Sequence, residues 1–422
     1  MKNMTLDNIA NAINGKLCGE NIPTTPAQGV VIDNRLVEDG YIFIAIKGNR
    51  VDGHTLVNKA FESGALAAIV EQDGDYNGPY IVVDSTPKAL ANVATYYRSQ
   101  LDIPIVGIIG SVGKTSTKEM TASVLSQKFN VLKTAGNFNN EVGLPLTLLS
   151  IKEEHTAAVV EMGISDFGEM KILGAIARPD IVVFTCIGEC HLENLGDRDG
   201  VLKAKTEVFD YLSDNATVII NASDDKLATI TKESLPEGTN LVSYSGQVED
   251  VDNMATYQAV KVTSLGLEGM KVEYAGKESG EVTVPLPGEH NVGNALAAMA
   301  AGFTLGESKS QIAEGIASAA TIAGRSNFIK VNDITIIDDC YNANPMSMRA
   351  GLGILGMTDG RRIAVLGDMG ELGEDELNLH RQLYQSVIDN NIDVIFTAGD
   401  LSSSIVDALH NEPEAKNIVA KS

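Results

Sequence analysis

At 422 residues the chain is too long for one hydrophobic core and fits two to four domains of ordinary size. Hydrophobic residues make up 44% and charged residues 21%, as in globular proteins, and no run approaches the roughly 18 apolar residues of a membrane span. A net charge of −24 argues against sequence-independent nucleic-acid binding, which needs Lys and Arg against phosphates.

The first residues, Met1 to Asp7, lack the apolar core of a signal peptide and read as an amphipathic helix, so a cytoplasmic location without membrane insertion is expected. Short apolar runs at 41–46, 67–70 and 80–83 read as strands separated by helical stretches. A helical stretch over 87–100 leads into a buried strand at 105–109. Further buried-strand runs at 157–160, 180–184 and 216–220 alternate with helical periodicity, the pattern of a parallel sheet with crossover helices. From 257 to 287 the chain turns β-rich and Gly-punctuated, as in an antiparallel sheet, and an alanine-rich helix follows over 292–304. Beyond Gly324, a strand pair (328–331, 334–337) and strands at 363–366 and 394–396 suggest a doubly wound α/β unit. The fold class is therefore α/β in three domains, 1–85, 86–320 and 321–422. The middle one combines a parallel sheet with a smaller antiparallel sheet.

The strand at 105–109 ends in Gly110-Ser111-Val112-Gly113-Lys114-Thr115-Ser116 at the head of a helical pattern. Glycines let successive N–H groups bend around a phosphate chain, and the helix N-terminus adds its positive dipole. Lys114 can reach the β- and γ-phosphates, and the Thr115 hydroxyl can hold Mg²⁺. The spacing is G-x-x-G-x-x-G-K-T, with Ile108 where the stricter pattern has glycine. The chain is expected to bind a nucleoside triphosphate. A nucleotide switch would carry N-K-x-D after the loop; Asn58-Lys59 precedes it and lacks the Asp.

Other polar clusters fall at strand ends, where open α/β sheets bind ligands. Glu161 follows a core strand and can hold Mg²⁺. His191 and Lys205 are weak signals alone: a solitary His is usually structural, and a protonated Lys repels a cation unless CO₂ converts it to a carbamate. Asn137, Asn139 and Asn140 open a helix and suit either a cap or substrate hydroxyls and phosphates. Asp338–Pro345 and Leu366–Gly373 end strands in the third segment and read either as ordinary polar loops or as parts of one ligand site. Cys18, Cys186, Cys190 and Cys340 are too scattered for a disulfide framework. Cys186, Cys190 and His191 lack the second cluster that a zinc site needs, so reduced structural thiols are expected.

Taken together, G-x-x-G-x-x-G-K-T-S-T-K-E-M, N-F-N-N-E-V-G-L-P-L-T-L-L, E-M-G-x-x-x-x-G-E-M, L-P-G-x-H-N-V-x-N-A-L-A-A, D-D-x-Y-N-A-N-P-x-S-M and L-G-D-M-x-E-L-G keep one order between Gly107 and Gly373. They resemble the Mur ligases, ATP-dependent enzymes that build the peptide of peptidoglycan precursors, and among them the member that adds a dipeptide. The resemblance implies a UDP-binding first domain, a central ATPase and a Rossmann-like third domain. It implies D-alanyl-D-alanine and UDP-N-acetylmuramoyl-tripeptide as substrates, joined through an acyl phosphate; a monomer is expected. The tripeptide-forming ligase and folylpolyglutamate synthase are the alternatives within the same chemistry.

Carried over residue by residue, Gly110 to Ser116 would cradle ATP. Thr115 and Glu161 would hold one Mg²⁺, and His191 with carbamylated Lys205 a second. Asn291 and Asn294 would lie on the adenine side, and Arg325 and Asp339 would reach the nucleotide on closure. Tyr341, Asn342 and Asn344 would meet the dipeptide or the nucleotide. Asp33, Asn34, Arg35, Lys47, Gly48, Asp52 and His54 match the region that holds the uridine nucleotide, with Asn34 where the family has Ser or Thr. Asn137, Asn139 and Asn140 would serve the substrate. The family pattern also continues to a further strand and a K-G-S-type turn, which the residues up to Ser422 do not display.

Overall fold

The computed structural model describes residues 1–248, 254–320 and 322–422. Its strands fall into an N-terminal sheet, a central sheet, and a C-terminal hairpin with its own small sheet. The first sheet holds β1 (Lys16–Cys18), β2 (Gly29–Val31), β3 (Tyr41–Ile44), β4 (Ala67–Val70) and β5 (Tyr80–Val82), in the order β1-β5-β4-β3-β2. All neighbours are parallel except β1 against β5. The first helix is Leu6–Ala12, with Thr5 accepting from the Asn8 N–H as its cap, so Met1 to Met4 lie outside the helix that the sequence places there. The helix Thr86–Arg98 crosses to the central sheet. At its end buried Arg98 donates to the carbonyls of Ala177 and Arg178 and to Asp180.

The central sheet comprises β6 (Ile105–Ile109), β7 (Val131–Lys133), β8 (Ala157–Glu161), β9 (Ile181–Phe184), β10 (Thr217–Asn221), β11 (Asn240–Ser245), β12 (Tyr257–Ser264), β13 (Met270–Gly276) and β14 (Gly280–Val284). Every residue of β6, β8 and β9 is buried, which is why their sequences are continuous apolar runs. The order β14-β13-β12-β11-β10-β9-β6-β8-β7 places β6 where the chain's direction of travel across the sheet reverses. Ligands bind at the carboxyl ends of strands at such a point. The antiparallel strands β12–β14 continue the parallel sheet through the short pairing of Tyr244 with Tyr257 and Ser245 with Gln258. Helices Lys114–Leu125 and Glu289–Thr304 pack on this sheet through Met120, Val124, Ala295 and Met299, fixing the start of each beside the end of β6.

In the C-terminal part, β15 (Asn327–Val331) and β16 (Ile334–Asp338) form a hairpin, and β17 (Ile363–Gly367), β18 (Val394–Ala398) and β19 (Val419–Lys421) form a parallel sheet. The strand β19 is one that the sequence reading did not place. Helices bury Ala364, Leu366 and Ile395 on one face, while Ile363, Val365, Phe396 and Val419 on the other are exposed. The α/β unit expected from the sequence is present; what the apolar runs do not foretell is the exposure of Ile363, Val365, Phe396 and Val419, since Val394, in register with Ile363, is buried.

Candidate active site

The turn after β6 is shaped by two glycines. Gly113 sits at φ +81° as the cap of the helix Lys114–Leu125, a conformation that side chains rarely adopt, and a Cβ at Gly110 would collide with the Thr185 hydroxyl. The loop is pinned from β9: Ser111 N–H donates to Cys186 O at 2.9 Å, and Thr185 Oγ1 donates to Val112 O at 2.5 Å. Lys114 folds back, its Nζ donating to Gly110 O at 2.8 Å and Ser111 O at 3.2 Å, so the ammonium lies over the loop that would take a phosphate.

Glu161, the last residue of β8, is held on both oxygens. Thr115 Oγ1 donates to Oε2 at 3.0 Å, and Asn139 Nδ2 donates to Oε1 at 2.8 Å. Its own N–H donates to Thr134 Oγ1 at 3.0 Å, and the Thr134 carbonyl takes a hydrogen bond from the buried Lys118 ammonium at 2.8 Å. A hydroxyl and a carboxylate converging beside Lys114 are the hard oxygen donors that a divalent cation such as Mg²⁺ prefers, so the residues fit one.

His191 stands at φ +52°, and its Nδ1 lies 2.5 Å from Glu371 Oε2 of the C-terminal domain. That nitrogen is buried without an aligned hydrogen bond. Burial holds the His191 pKa below its usual value, with Glu371 opposing and Lys205 reinforcing the shift. Lys205 is only 1% exposed. Burial lowers its pKa to about 8; Cys190 works against the shift and Lys114 with it. Cys190 Sγ is 3.1 Å from Ser111 Oγ, and all four cysteines are free thiols.

A cavity of about 1070 Å³ opens between the central and C-terminal domains. Ser111 to Ser116 and His191 line one side; Arg325, Asp339, Asn342 and Asn344 line the other. Asn291 and Asn294 line it too, but much of their hydrogen-bonding capacity is engaged locally. Asn291 Nδ2 donates to Pro287 O at 2.8 Å, Asn294 Nδ2 to Asn291 Oδ1 at 3.0 Å, and Thr117 Oγ1 to Asn294 Oδ1 at 2.9 Å. The pair ties the alanine-rich helix to the phosphate-loop helix. Arg325 stacks over Tyr341 at 4.3 Å, Asp339 Oδ1 accepts from the Ser326 N–H at 2.9 Å, and Asn344 caps the helix Pro345–Gly356. Tyr341 itself is half exposed and outside the cavity lining.

Of the asparagines at 137, 139 and 140, Asn140 Oδ1 accepts from the N–H groups of Val142 and Gly143 and so acts as a cap, while Asn139 serves Glu161. Asn137 contributes its carbonyl to the Asn139 N–H at 2.7 Å.

The first-domain cluster is a separate place. Asp33 accepts three hydrogen bonds from the Arg35 guanidinium and one from its backbone N–H, and these hold the carboxyl pKa at about 2. Asn34 lies in the turn Asn34–Leu36 that Asp33 caps. Asp52 accepts from His54 Nδ1 at 2.8 Å while His54 Nε2 accepts from the Glu71 N–H at 3.0 Å, which defines the tautomer. Lys47 bridges to Asp52 along the backbone, and the Gly48 N–H donates to Val51 O. None of these residues lines the interdomain cavity.

Sequence reasoning missed Asn221, Tyr244 and Gln247 on the cavity wall, and gave Glu371 no role although its motif was noted. Asn221 and Tyr244 belong to ordinary β-strands, β10 and β11, and carried no local signal.

A phosphate loop at a parallel-sheet switch point, with a metal-type oxygen pair and a second domain closing the cavity, defines a phosphate-loop ATPase that works between domains. The chain belongs to the Mur ligase family. The Mur ligase middle domain matches residues 108–302, the Mur ligase glutamate ligase domain 324–421, and the Mur ligase family catalytic domain 26–107. It is 36% identical over 409 residues to the UDP-N-acetylmuramoyl-tripeptide–D-alanyl-D-alanine ligase of Bacillus subtilis, covering 96% of this chain and 87% of that one. Among solved structures it is similar to MurF from Acinetobacter baumannii, with TM-score 0.89, 32% identity and coverage of 99% and 89%. It is also similar to MurF ligase from Thermotoga maritima in complex with ADP, with TM-score 0.79, 28% identity and coverage of 94% and 88%.

Proposed function

We infer that the chain is an ATP-dependent amide ligase that joins D-alanyl-D-alanine to UDP-N-acetylmuramoyl-tripeptide, giving the pentapeptide precursor, ADP and phosphate. The observation that carries this is the single cavity in which Lys114 and Thr115 of the loop face Arg325 and Asp339 of another domain. A ligase that must activate one substrate and shield the product from water needs that arrangement. The tripeptide-forming and folylpolyglutamate ligases share the fold, but the relatives above 30% identity are dipeptide-adding enzymes by name.

In the first step the terminal carboxylate oxygen of the tripeptide attacks the γ-phosphorus and ADP leaves, giving an acyl phosphate. The dipeptide amine then attacks the acyl carbon, and phosphate departs with the former carboxylate oxygen. The first step brings anions together. Lys114 and the loop N–H groups stabilise the charge on the phosphates. Thr115 and Glu161 would hold Mg²⁺, which screens carboxylate from triphosphate and withdraws charge from the transferred group. Asn139 keeps Glu161 oriented. His191 and Lys205 would hold a second ion, with Lys205 carbamylated; burial and the Lys114 charge lower the Lys205 pKa to about 8, which favours the neutral amine that adds to CO₂. Arg325 and Asp339 meet the nucleotide from the C-terminal domain, and Asn342 and Asn344 stand where the dipeptide or nucleotide would enter. The first-domain residues Asp33, Asn34, Arg35, Lys47, Gly48, Asp52 and His54 bind the uridine nucleotide. No helix among the described residues is long and apolar enough to cross a membrane. The cytoplasm, where such nucleotide precursors are made, is the proposed location.

Tripeptide labelled with ¹⁸O in its terminal carboxylate tests the acyl-phosphate route. One label should appear in the released phosphate; phosphate free of label overturns it.

A further inference from the structure

The segment Leu366-Gly367-Asp368-Met369-Gly370-Glu371-Leu372-Gly373 follows β17 in the C-terminal domain, and its side chains divide by task. Asp368 is exposed but committed within its own domain: Oδ1 accepts from the Ser402 N–H at 2.7 Å and stitches β17 to the loop after β18. Met369 and Leu372 are buried in the domain core. The Met369 N–H donates to Nε2 of the fully buried His380 at 2.7 Å, and His380 Nδ1 contacts Glu376 O at 2.7 Å, so the loop backbone is held rigidly. That leaves Glu371 as the one charged side chain of the loop that lines the phosphate cavity.

Glu371 sits at φ +60° and His191, on the central domain, at φ +52°. Two non-glycine residues in this sparsely populated region meet each other, with Glu371 Oε2 2.5 Å from His191 Nδ1. The Leu192 N–H also donates to Glu371 O at 3.1 Å, so backbone and side chain of Glu371 engage consecutive residues of the facing domain. Strain of this kind persists where the surroundings over-determine it, and an observed outlier is a pointer to function. The carboxylate lies within ion-pair distance of Nδ1, off the line of a hydrogen bond, and leaves Nε2 as the ring nitrogen available to a cation.

We propose that Glu371 is an interdomain positioning residue whose carboxylate seats on His191 and latches the C-terminal domain in the closed arrangement required for acyl transfer. It touches no reacting atom; it acts through His191 and through the register between domains. The proposal rests on the ligase reading for its kinetic consequence, but the closure itself is read without either peptide substrate.

The test is small-angle scattering of the full chain with ATP and Mg²⁺, alongside steady-state kinetics, for Glu371→Ala, Glu371→Gln, His191→Ala and the double Ala variant. Glu371→Ala should lower the closing equilibrium constant about tenfold, and the double variant should close no worse than His191→Ala alone. In turnover, kcat should fall about tenfold while KM for the UDP-tripeptide stays within about threefold. Glu371→Gln, which still offers an acceptor oxygen, should recover most of both. Closure of Glu371→Ala equal to the parent overturns the proposal, as does additivity in the double variant. If the kinetics fail for every tripeptide while ATP-driven closure follows the predicted order, the ligase reading is wrong and the latch stands.

Discussion

The Asn139 side-chain amide donates to Glu161 Oε1 at 2.8 Å while Thr115 Oγ1 donates to Oε2 at 3.0 Å, so the carboxylate is oriented from both sides. Replacing Asn139 by Ala frees one oxygen of Glu161 without touching the phosphate loop. The Mg²⁺ concentration for half-maximal ATP turnover should rise about tenfold, as when a partner behind a metal ligand is lost. Mg²⁺ titrations of turnover, with Mn²⁺ binding followed by electron paramagnetic resonance, check both the kinetic and the binding side.

Lys114→Ala removes the ammonium that lies over Gly110 and Ser111. ATP turnover should drop to about 1% of the parent or less, since phosphoryl transfer depends on that charge. The fold should persist, because among the described residues the lysine's hydrogen bonds go only to its own loop. Turnover assays and circular dichroism on the same preparation separate the two.

Lys205→Ala should cripple acyl transfer, and short carboxylates such as formate at millimolar concentration should restore part of it by standing in for the carbamate. Unchanged turnover in the variant contradicts the carbamate role. Mass spectrometry and ¹³C resonance of protein equilibrated with ¹³CO₂ detect the modification directly.

Glu307 is 5% exposed, and among the described residues neither carboxyl oxygen has a hydrogen-bond partner. Burial raises its pKa from 4.5 to about 7, with Lys128 opposing. Because the folded protein holds the proton more tightly than the unfolded chain, stability is highest below about pH 4.5 from this group and is lost as pH rises through about 7. Glu307→Gln should therefore raise stability at pH 8 by on the order of 1 kcal/mol and change it little at pH 5. Thermal melts of both proteins at the two pH values read the difference.

The sequence made the phosphate loop legible because its chemistry is local: Gly110, Gly113, Lys114 and Thr115 are adjacent, and the strand and helix that position them have strong periodicity. Glu161 was legible for the same reason, as the residue ending a buried strand. Glu371 was not, since its meaning depends on which surface of the central domain the C-terminal loop meets. Asn291 and Asn294 carry a structural role that their motif does not announce: their amides hold each other and Thr117 while both still line the cavity. In the C-terminal sheet, Val365 and Phe396 look like core residues in sequence and are exposed, because apolarity alone does not say which face a helix will cover. Glu307 carries no pattern at all; only packing reveals its isolation.

The most direct test of the ligase assignment is phosphate release from ATP by the full chain with UDP-N-acetylmuramoyl-tripeptide, with and without D-alanyl-D-alanine, using tripeptides ending in lysine and in diaminopimelate. Dipeptide-dependent release is expected, with a product whose mass has grown by one dipeptide less water. No release with either tripeptide, from folded protein that still binds ATP, would contradict the assignment.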